Sequence, residues 1–223
     1  IKNYNTIKKG PIIFLGNEFF DAIPIKQFKK INNILYENYV KLENNSEIST
    51  CLKKVNPKTI AELKKYGLLK NQSFIEFPKK GLVELDLIIN KVKKQNGGLL
   101  LIDYGFLKQK NKNTLQSIKN HKPNKIFKNI GNADITSLVN FALIKNYLDK
   151  KGLKVNNVVT QGFFLKKMGI MERAEGVAKR MNFKEKSDLY FRIQRLVSSK
   201  QMGELFKFLF ASKLKKKFLL GFN

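Results

Sequence analysis

Several residue types are scarce in this chain, and each scarcity closes off a class of function. Cysteine occurs once, as Cys51, which rules out an internal disulfide and a cysteine-rich zinc site and suits a reducing compartment. A buried, inert thiol is the expectation for it. Histidine also occurs once, at His121, and no metal site is expected. Fourteen glycines are present, yet no two are separated by a single residue, so the G-x-G turn that brings backbone close to a nucleotide-like ligand is missing. No apolar run approaches the roughly 18 residues that cross a bilayer, so no membrane span is expected. The chain opens on Ile1 rather than methionine, and the expectation is of an incomplete gene product.

Acid is scarce too. Seventeen Asp and Glu face 44 Lys and Arg, for a formal net charge of +27. Such an excess points first to nucleic acid. However, only Arg173, Arg180, Arg192 and Arg195 are arginine; the other basic residues are lysines spread through every block of the chain. Nucleic-acid readers concentrate arginine for bidentate contacts to phosphate and guanine, and no zinc-finger, KH or RRM pattern is present. A solvated lysine surface with no specific nucleic-acid partner is the reading adopted.

What is there is one sizeable domain's worth of apolar residues, 43% of 223. Pro11 to Leu15 is continuously apolar between Gly10 and Gly16 and reads as a short buried strand. From Ile25 to Leu52 alternating segments broken by Asn32-Asn33 and by "ENNSE" predict an antiparallel meander, since asparagine tolerates the positive φ of tight turns. "NPKTIAELKKYGLL" predicts a short helix stopped at Gly67. Leu82, Leu85, Ile88, Ile89 and Val92 fall at helical spacing, ended by Gly97-Gly98. A second buried strand spans Leu99 to Ile102. Asp134-Ile135-Thr136-Ser137 is placed to cap a helix carrying Leu138, Phe141, Ala142, Ile144 and Leu148. A strand around "KVNNVVTQ", helices over 162–181 and 186–199, and a closing strand in "GELFKFLFAS" complete the order. The fold class is α/β, with an inserted antiparallel element.

Both buried strands run into acid: Gly16-Asn17-Glu18 with Asp21 after the first, Asp103-Tyr104-Gly105 after the second. In open α/β sheets ligands sit beyond the carboxyl ends of parallel strands, where carboxylates hold cations, accept protons or bond a cofactor. Acids that merely cap turns after strands are the equal alternative.

"GNEFFDAIPIKQF" resembles the hallmark segment of the MidA-type S-adenosylmethionine-dependent methyltransferases, a family that includes the mitochondrial arginine methyltransferase of respiratory complex I assembly. "GGLLLIDYG", "TLQSIKNHK", "IGNADITSLVNFALI", "TQGFFLKKMGI" and "QMGELFKFLF" are similar to later family segments, in order, from about residue 10 to the end. The resemblance implies the second half of a class I methyltransferase Rossmann-like sheet. Pro11–Leu15 would be the fourth strand, Leu99–Ile102 the fifth, the two C-terminal strands the final antiparallel pair, and 25–52 an inserted antiparallel meander. The whole of 1–223 would be a single partial domain whose core half is 99–223. The resemblance further implies S-adenosyl-L-methionine as cofactor and a protein substrate, with an arginine acceptor on a complex I subunit. The location is bacterial cytoplasm, or the mitochondrial matrix in a eukaryote. Glu18, Asp21 and Asn17 take catalytic positions, Gly16 and Asn17 touch cofactor, and Asp103, Tyr104, His121 and Asp134 line the substrate side. For His121 a structural or surface role is the larger expectation, for Asp134 a helix cap, and Gln161 and "QMGELFK" read as packing.

The departure from the family is the missing glycine loop, together with the acid that would hold the cofactor ribose. A missing N-terminal half is the simplest account, and it would leave one edge of the parallel sheet without its partner strand. A partner-binding remnant without catalysis and a basic nucleic-acid-binding module remain as rivals. The latter separates by salt: short duplex or single-stranded probes are expected to bind weakly and to dissociate by physiological ionic strength. Nanomolar affinity retained there, with a steep salt slope, would restore the nucleic-acid reading.

Overall fold

In the computed structural model, which describes residues 6–44, 47–108, 110–214 and 220–223, the chain divides into two compact units. The first takes in residues 1–20, 86–107 and 139–223, the second 21–85 and 108–138. In chain order the elements are β1 (Ile13–Asn17), β2 (Lys26–Ile31), β3 (Ile34–Leu42), β4 (Ile48–Lys54), α1 (Pro57–Lys65), β5 (Phe74–Phe77), α2 (Lys79–Lys94), β6 (Gly98–Phe106), β7 (Gln116–Lys119), β8 (Lys122–Asn124), β9 (Asp134–Thr136), β10 (Val139–Asn140), α3 (Phe141–Lys150), β11 (Lys154–Val155), β12 (Val159–Thr160), α4 (Gln161–Lys167), α5 (Ile170–Ala178), α6 (Phe183–Val197), α7 (Met202–Leu205) and β13 (Phe206–Ser212).

The first unit is built on β6. This strand pairs in parallel with β1, Ile13 opposite Gly98 and Asn17 opposite Ile102, and antiparallel with β13, Phe206 opposite Tyr104 and Ser212 opposite Gly98. β11 and β12 each pair antiparallel with β13, so the sheet runs β1-β6-β13-β11 and the C-terminal strands form the antiparallel pair expected of them. Leu99, Leu101, Leu209 and Ala211 are buried across its centre, and Phe164 stacks on Phe208 at 4.2 Å between ring centroids. Strand segments this short, two residues each in β11 and β12, replace the single strand expected around "KVNNVVTQ".

Five further expectations are corrected here. β1 is not a buried strand: Phe14 is covered, but Ile13 and Leu15 are 69% and 67% exposed. Pleating sends alternate side chains to opposite faces, and β1 is the edge strand of its sheet. β6 runs four residues past Ile102 because β10 and β13 both pair with its far end. Asp134–Ser137 caps no helix, since residues 134–136 are a strand and α3 starts at Phe141, capped by the Asn140 side chain on Leu143 N at 3.0 Å. The helix expected over 162–181 is cut at Gly169, whose φ of +78 fits glycine without strain, and "GEL" belongs to α7 rather than to the closing strand.

The second unit holds the meander, extended beyond 25–52. β2, β3 and β4 pair in sequence, and β5 adds to the far side of β2, giving the order β4-β3-β2-β5. Asn32 and Asn33, at φ 47 and 62, form the tight two-residue turn expected of them, with the primed geometry that matches strand twist. Within "ENNSE", residues 45–46 lie outside the described residues. Residues 108–138 carry the β8-β7-β9 sheet, which alternation in the sequence did not announce. Cys51 lies half-buried on β4 opposite Tyr39, not in a core. The helix ends follow their chemistry: Asn56 caps α1 through Thr59 N at 2.9 Å ahead of Pro57, and Asn96, at φ 49, supplies the left-handed turn after α2 that Gly97-Gly98 was expected to make.

In the first unit, Asp86 of α2 pairs with Lys151 after α3 at 2.6 Å and accepts a hydrogen bond from the Tyr147 hydroxyl. Burial, then the Asp86 carboxylate, pushes the Tyr147 phenol from 10.0 up to about 12. The folded chain therefore keeps a proton that the unfolded chain loses, and this contribution to stability is complete below pH 10 and is lost as pH rises towards 12. Denaturant melts of the wild type and Tyr147→Phe should diverge over that window, with the mutant falling less steeply; parallel curves would show an ordinary phenol.

Candidate active site

The carboxyl end of β1 gives way to a turn that the chain makes without glycine. Glu18 takes up φ +48, a left-handed conformation that is uncommon for a side-chain-bearing residue and costs about 1 kcal/mol or more. Two sets of bonds hold it there. Glu18 N donates to Ile102 O at 2.9 Å, and the next two amides, Phe19 N and Phe20 N, both donate to Oδ2 of Asp103 at 3.1 and 2.9 Å. The other carboxylate oxygen, Oδ1, accepts from Tyr104 N at 3.0 Å. Asp103 is 2% exposed, so these bonds are shielded from water and are of the strong, charge-assisted kind.

The result is a division of roles between two acids read together from the sequence. Asp103 lies within β6, not beyond its end, and its carboxylate accepts three backbone amides, which makes it a positioning residue. Glu18 and Asn17 are exposed. Phe19 and Phe20 meet edge to face at 5.2 Å, with Phe20 buried and fixing the turn from below. Tyr104 meets Phe206 edge to face at 5.3 Å. Directly opposite Asp103 in the ladder is Lys207, buried, whose Nζ donates to the carbonyl of Glu204; nothing in the sequence pattern of β13 signalled a buried lysine.

On the exposed side of β1, Phe14, Leu15, Gly16, Phe19, Ile88 and Leu101 line a shallow recess of about 190 Å³. The glycines at this end of the sheet do not form a cradle for a ligand. A Cβ on Gly16 would lie 3.0 Å from the Leu101 side chain, and one on Gly105 would lie 2.1 Å from Val139 O. Their lack of a side chain serves the protein's own close approaches, so the chain's residues here do not fit the glycine-rich seat of a nucleoside cofactor.

The remaining sequence-predicted residues belong to the second unit. Asp21 is buried, and its carbonyl accepts from Ser137 N at 3.0 Å. His121 is exposed and, with Asn120, makes the tight turn between β7 and β8 at φ 61 and 50. Asp134 is exposed on β9 opposite Ile118. The structure thus brings together Gly16, Asn17, Glu18, Asp103 and Tyr104 in one unit. What sequence reading missed is a network in the second unit around Glu76. Its carboxylate takes Thr114 N at 3.0 Å, Thr114 Oγ1 at 2.5 Å and Gln27 Nε2 at 3.0 Å. Thr114 Oγ1 in turn accepts Leu138 N at 3.0 Å. These bonds tie 108–138 to the meander. Gln161, read as packing, donates to Leu196 O at 2.9 Å.

Asp103→Asn replaces a charged acceptor of three amides by a neutral one and should cost about 1–3 kcal/mol. Hydrogen exchange at Phe19 and Phe20 should accelerate while the Leu100 amide, mid-strand, keeps its protection. Unchanged exchange at both phenylalanines would remove Asp103 as the clamp.

Comparison with known proteins is consistent with this architecture. The chain spans about half the length of the curated relatives it matches. It is 30% identical over 175 residues to a mitochondrial protein arginine methyltransferase NDUFAF7 homolog of Caenorhabditis elegans, covering 77% of this chain and 41% of that one. It is 25% identical to the Danio rerio protein arginine methyltransferase NDUFAF7, covering 91% and 47%. A Burkholderia thailandensis crystal structure shares the fold at TM-score 0.84 and 21% identity, over 96% of this chain and 58% of that one. A second from the same organism, crystallised with S-adenosyl-homocysteine, does so at 0.77 and 20%, over 96% and 55%. The family model for S-adenosyl-L-methionine-dependent methyltransferases matches residues 1–159, and the chain belongs to that family.

Proposed function

We propose that this chain supplies the acceptor side of an S-adenosylmethionine-dependent protein methyltransferase, with arginine as the methylated residue and a respiratory complex I subunit as partner. The observation that carries the reading is Glu18, an exposed carboxylate held in a left-handed turn by the buried Asp103 clamp. Strain of this kind persists where surrounding structure imposes it, and it presents the side chain at a fixed place beyond the strand end. Guanidinium is a planar fork of donors that pairs bidentately with carboxylate. A carboxylate so placed would hold the acceptor guanidinium and localise its charge on one side, which would leave one nitrogen free to take a methyl group; the contribution of these residues is positioning. Asn17, next to it, is assigned to the same surface. The arginine acceptor is supported by the names of the relatives, and the complex I link by the family resemblance.

The cofactor itself needs a glycine-rich turn that residues 1–223 do not provide. We assign these residues to the second half of the sheet, with β1 as the edge against which the cofactor-binding half pairs. The strand order β1-β6-β13-β11, with its antiparallel β13, supports that assignment. The same lack of a glycine seat favours the rival in which the chain binds its partner without catalysis.

Titration of the 223-residue chain with S-adenosylmethionine should give no micromolar isotherm in calorimetry; one that does would place a cofactor seat within these residues. In the protein with both halves, Glu18→Gln should lose turnover while retaining cofactor binding. Glu18→Gly should fold at least as stably, because glycine adopts this φ freely, and should be equally inactive. Full turnover in Glu18→Gln would take the carboxylate out of the reaction, and no turnover in the wild type would favour the binding-only protein.

A further inference from the structure

The arginines of this chain are not scattered. All four, Arg173, Arg180, Arg192 and Arg195, fall within the hairpin formed by α5 and α6 in the first unit. Every one is exposed, and none enters an ion pair or a side-chain hydrogen bond among the described residues. Elsewhere the chain uses lysine alone for positive charge.

The same hairpin exposes large apolar side chains. Phe183 is 89% exposed and Phe191 70%, and Tyr190, Met171 and Val177 are also on the surface. Ordinary amphipathic packing does not account for them, because α6 already has a satisfied inner face. Ile193 and Val197, with Leu189 and Leu196, pack on Ala174 of α5. Taking 100° per residue, Phe191 points almost opposite to Ile193, and Lys184 and Arg195 lie on the same outer line at i−7 and i+4. Phe183 and Tyr190, seven apart, form a second line beside it. Asn182 and Glu185 close a capping box on the helix, so the face is rigidly presented.

Exposed aromatic and methionine side chains on the same hairpin as arginine have the composition of protein-interface hot spots. Basic residues outnumber acidic ones seven to four between residues 170 and 197. A second copy would therefore bring like charge against like. Single-stranded RNA would use the arginines and phenylalanines but would gain little from Met171 and Val177. We infer that the outer face of the α5–α6 hairpin is a docking surface for an acidic, amphipathic helix of a partner protein. Phe191 is the central anchor and Arg195 the main charge contact. Arginine suits this place better than lysine because its planar group both pairs with carboxylate and lies flat on aromatic rings. The proposal does not depend on methyl transfer.

The test is fluorescence anisotropy with the 223-residue chain at physiological ionic strength. The probe is a labelled helical peptide carrying leucine on one face and glutamate on the other. Controls are the same peptide with lysine for glutamate and a single-stranded RNA oligonucleotide. The acidic peptide should bind, and Phe191→Ser and Arg195→Glu should each weaken it about tenfold or more. Both sites face solvent, so circular dichroism should stay unchanged. Lys53→Glu, a charge reversal on β4 of the second unit, should weaken binding less than threefold, as a general charge effect would. Equal losses in all three variants would mean non-specific attraction and would overturn the proposal. RNA binding abolished by Phe191→Ser, or a dimer in sedimentation that this variant dissolves, would assign the surface to those occupants instead.

Discussion

The first unit depends on one carboxylate. Asp103 sits in the middle of a paired strand, where an acid without partners would cost several kcal/mol, and it is stable there because three backbone amides converge on it. Two of those amides belong to the chain just after β1, a strand joined to β6 by a parallel ladder. The carboxylate therefore continues the ladder past the point where strand geometry ends, and it does so with side-chain oxygens in place of carbonyls. The left-handed Glu18 is the consequence. A turn tight enough to bring Phe19 N and Phe20 N to one oxygen requires positive φ at the preceding residue, and the bonds made offset its strain.

That dependence explains why a chain short of acid places it after two adjacent strands. The two positions looked equivalent in sequence, each an apolar run ending in a carboxylate. They differ because β6 is flanked on both sides and continues, whereas β1 lies at the edge and stops. Pairing buried Asp103 inside the strand and left Glu18 outside it. Periodicity reports which residues prefer the interior, but not which neighbour strand prolongs an element, so the end of β6 was set by β10 and β13, more than 30 residues away. The same reason hid β7, β8 and β9, which are short and mostly polar and which pair with one another, β7 with β8 across the Asn120-His121 turn and β7 with β9 some 15 residues on.

What was legible was local. The Asn32-Asn33 turn and the apolar spacing of α2 follow from chemistry within a few residues, whereas the antiparallel pairing at the C-terminus joins strands about 50 residues apart and came from the family resemblance. Asp134 misled for an instructive reason: Asp-Ile-Thr-Ser satisfies the rule for a helix start, yet Asn140 satisfies it as well and sits directly before the apolar face of α3. His121 illustrates the reverse case, a chemically suggestive residue whose backbone conformation accounts for its place. At the strand ends, the sequence pattern pointed to Glu18 and Asp103 together but could not tell the two acids apart, since burial makes that division.

Glycine and arginine carry the remaining information, because the background composition makes both meaningful. A glycine is needed wherever another backbone comes too close for a Cβ, and at Gly97, Gly105, Gly162 and Gly203 the intruding group is a carbonyl of this same chain. At these four positions the chain uses glycine to bring its own elements together, so none of the four is free to seat a ligand. Arginine tells a parallel story on the surface. Lysine suffices where charge only has to be solvated, and here it is used almost everywhere. The one helical hairpin that departs from this is also the one that leaves Phe183 and Phe191 uncovered. Planar cations and uncovered rings on one hairpin are what sets that surface apart from the lysine-covered remainder.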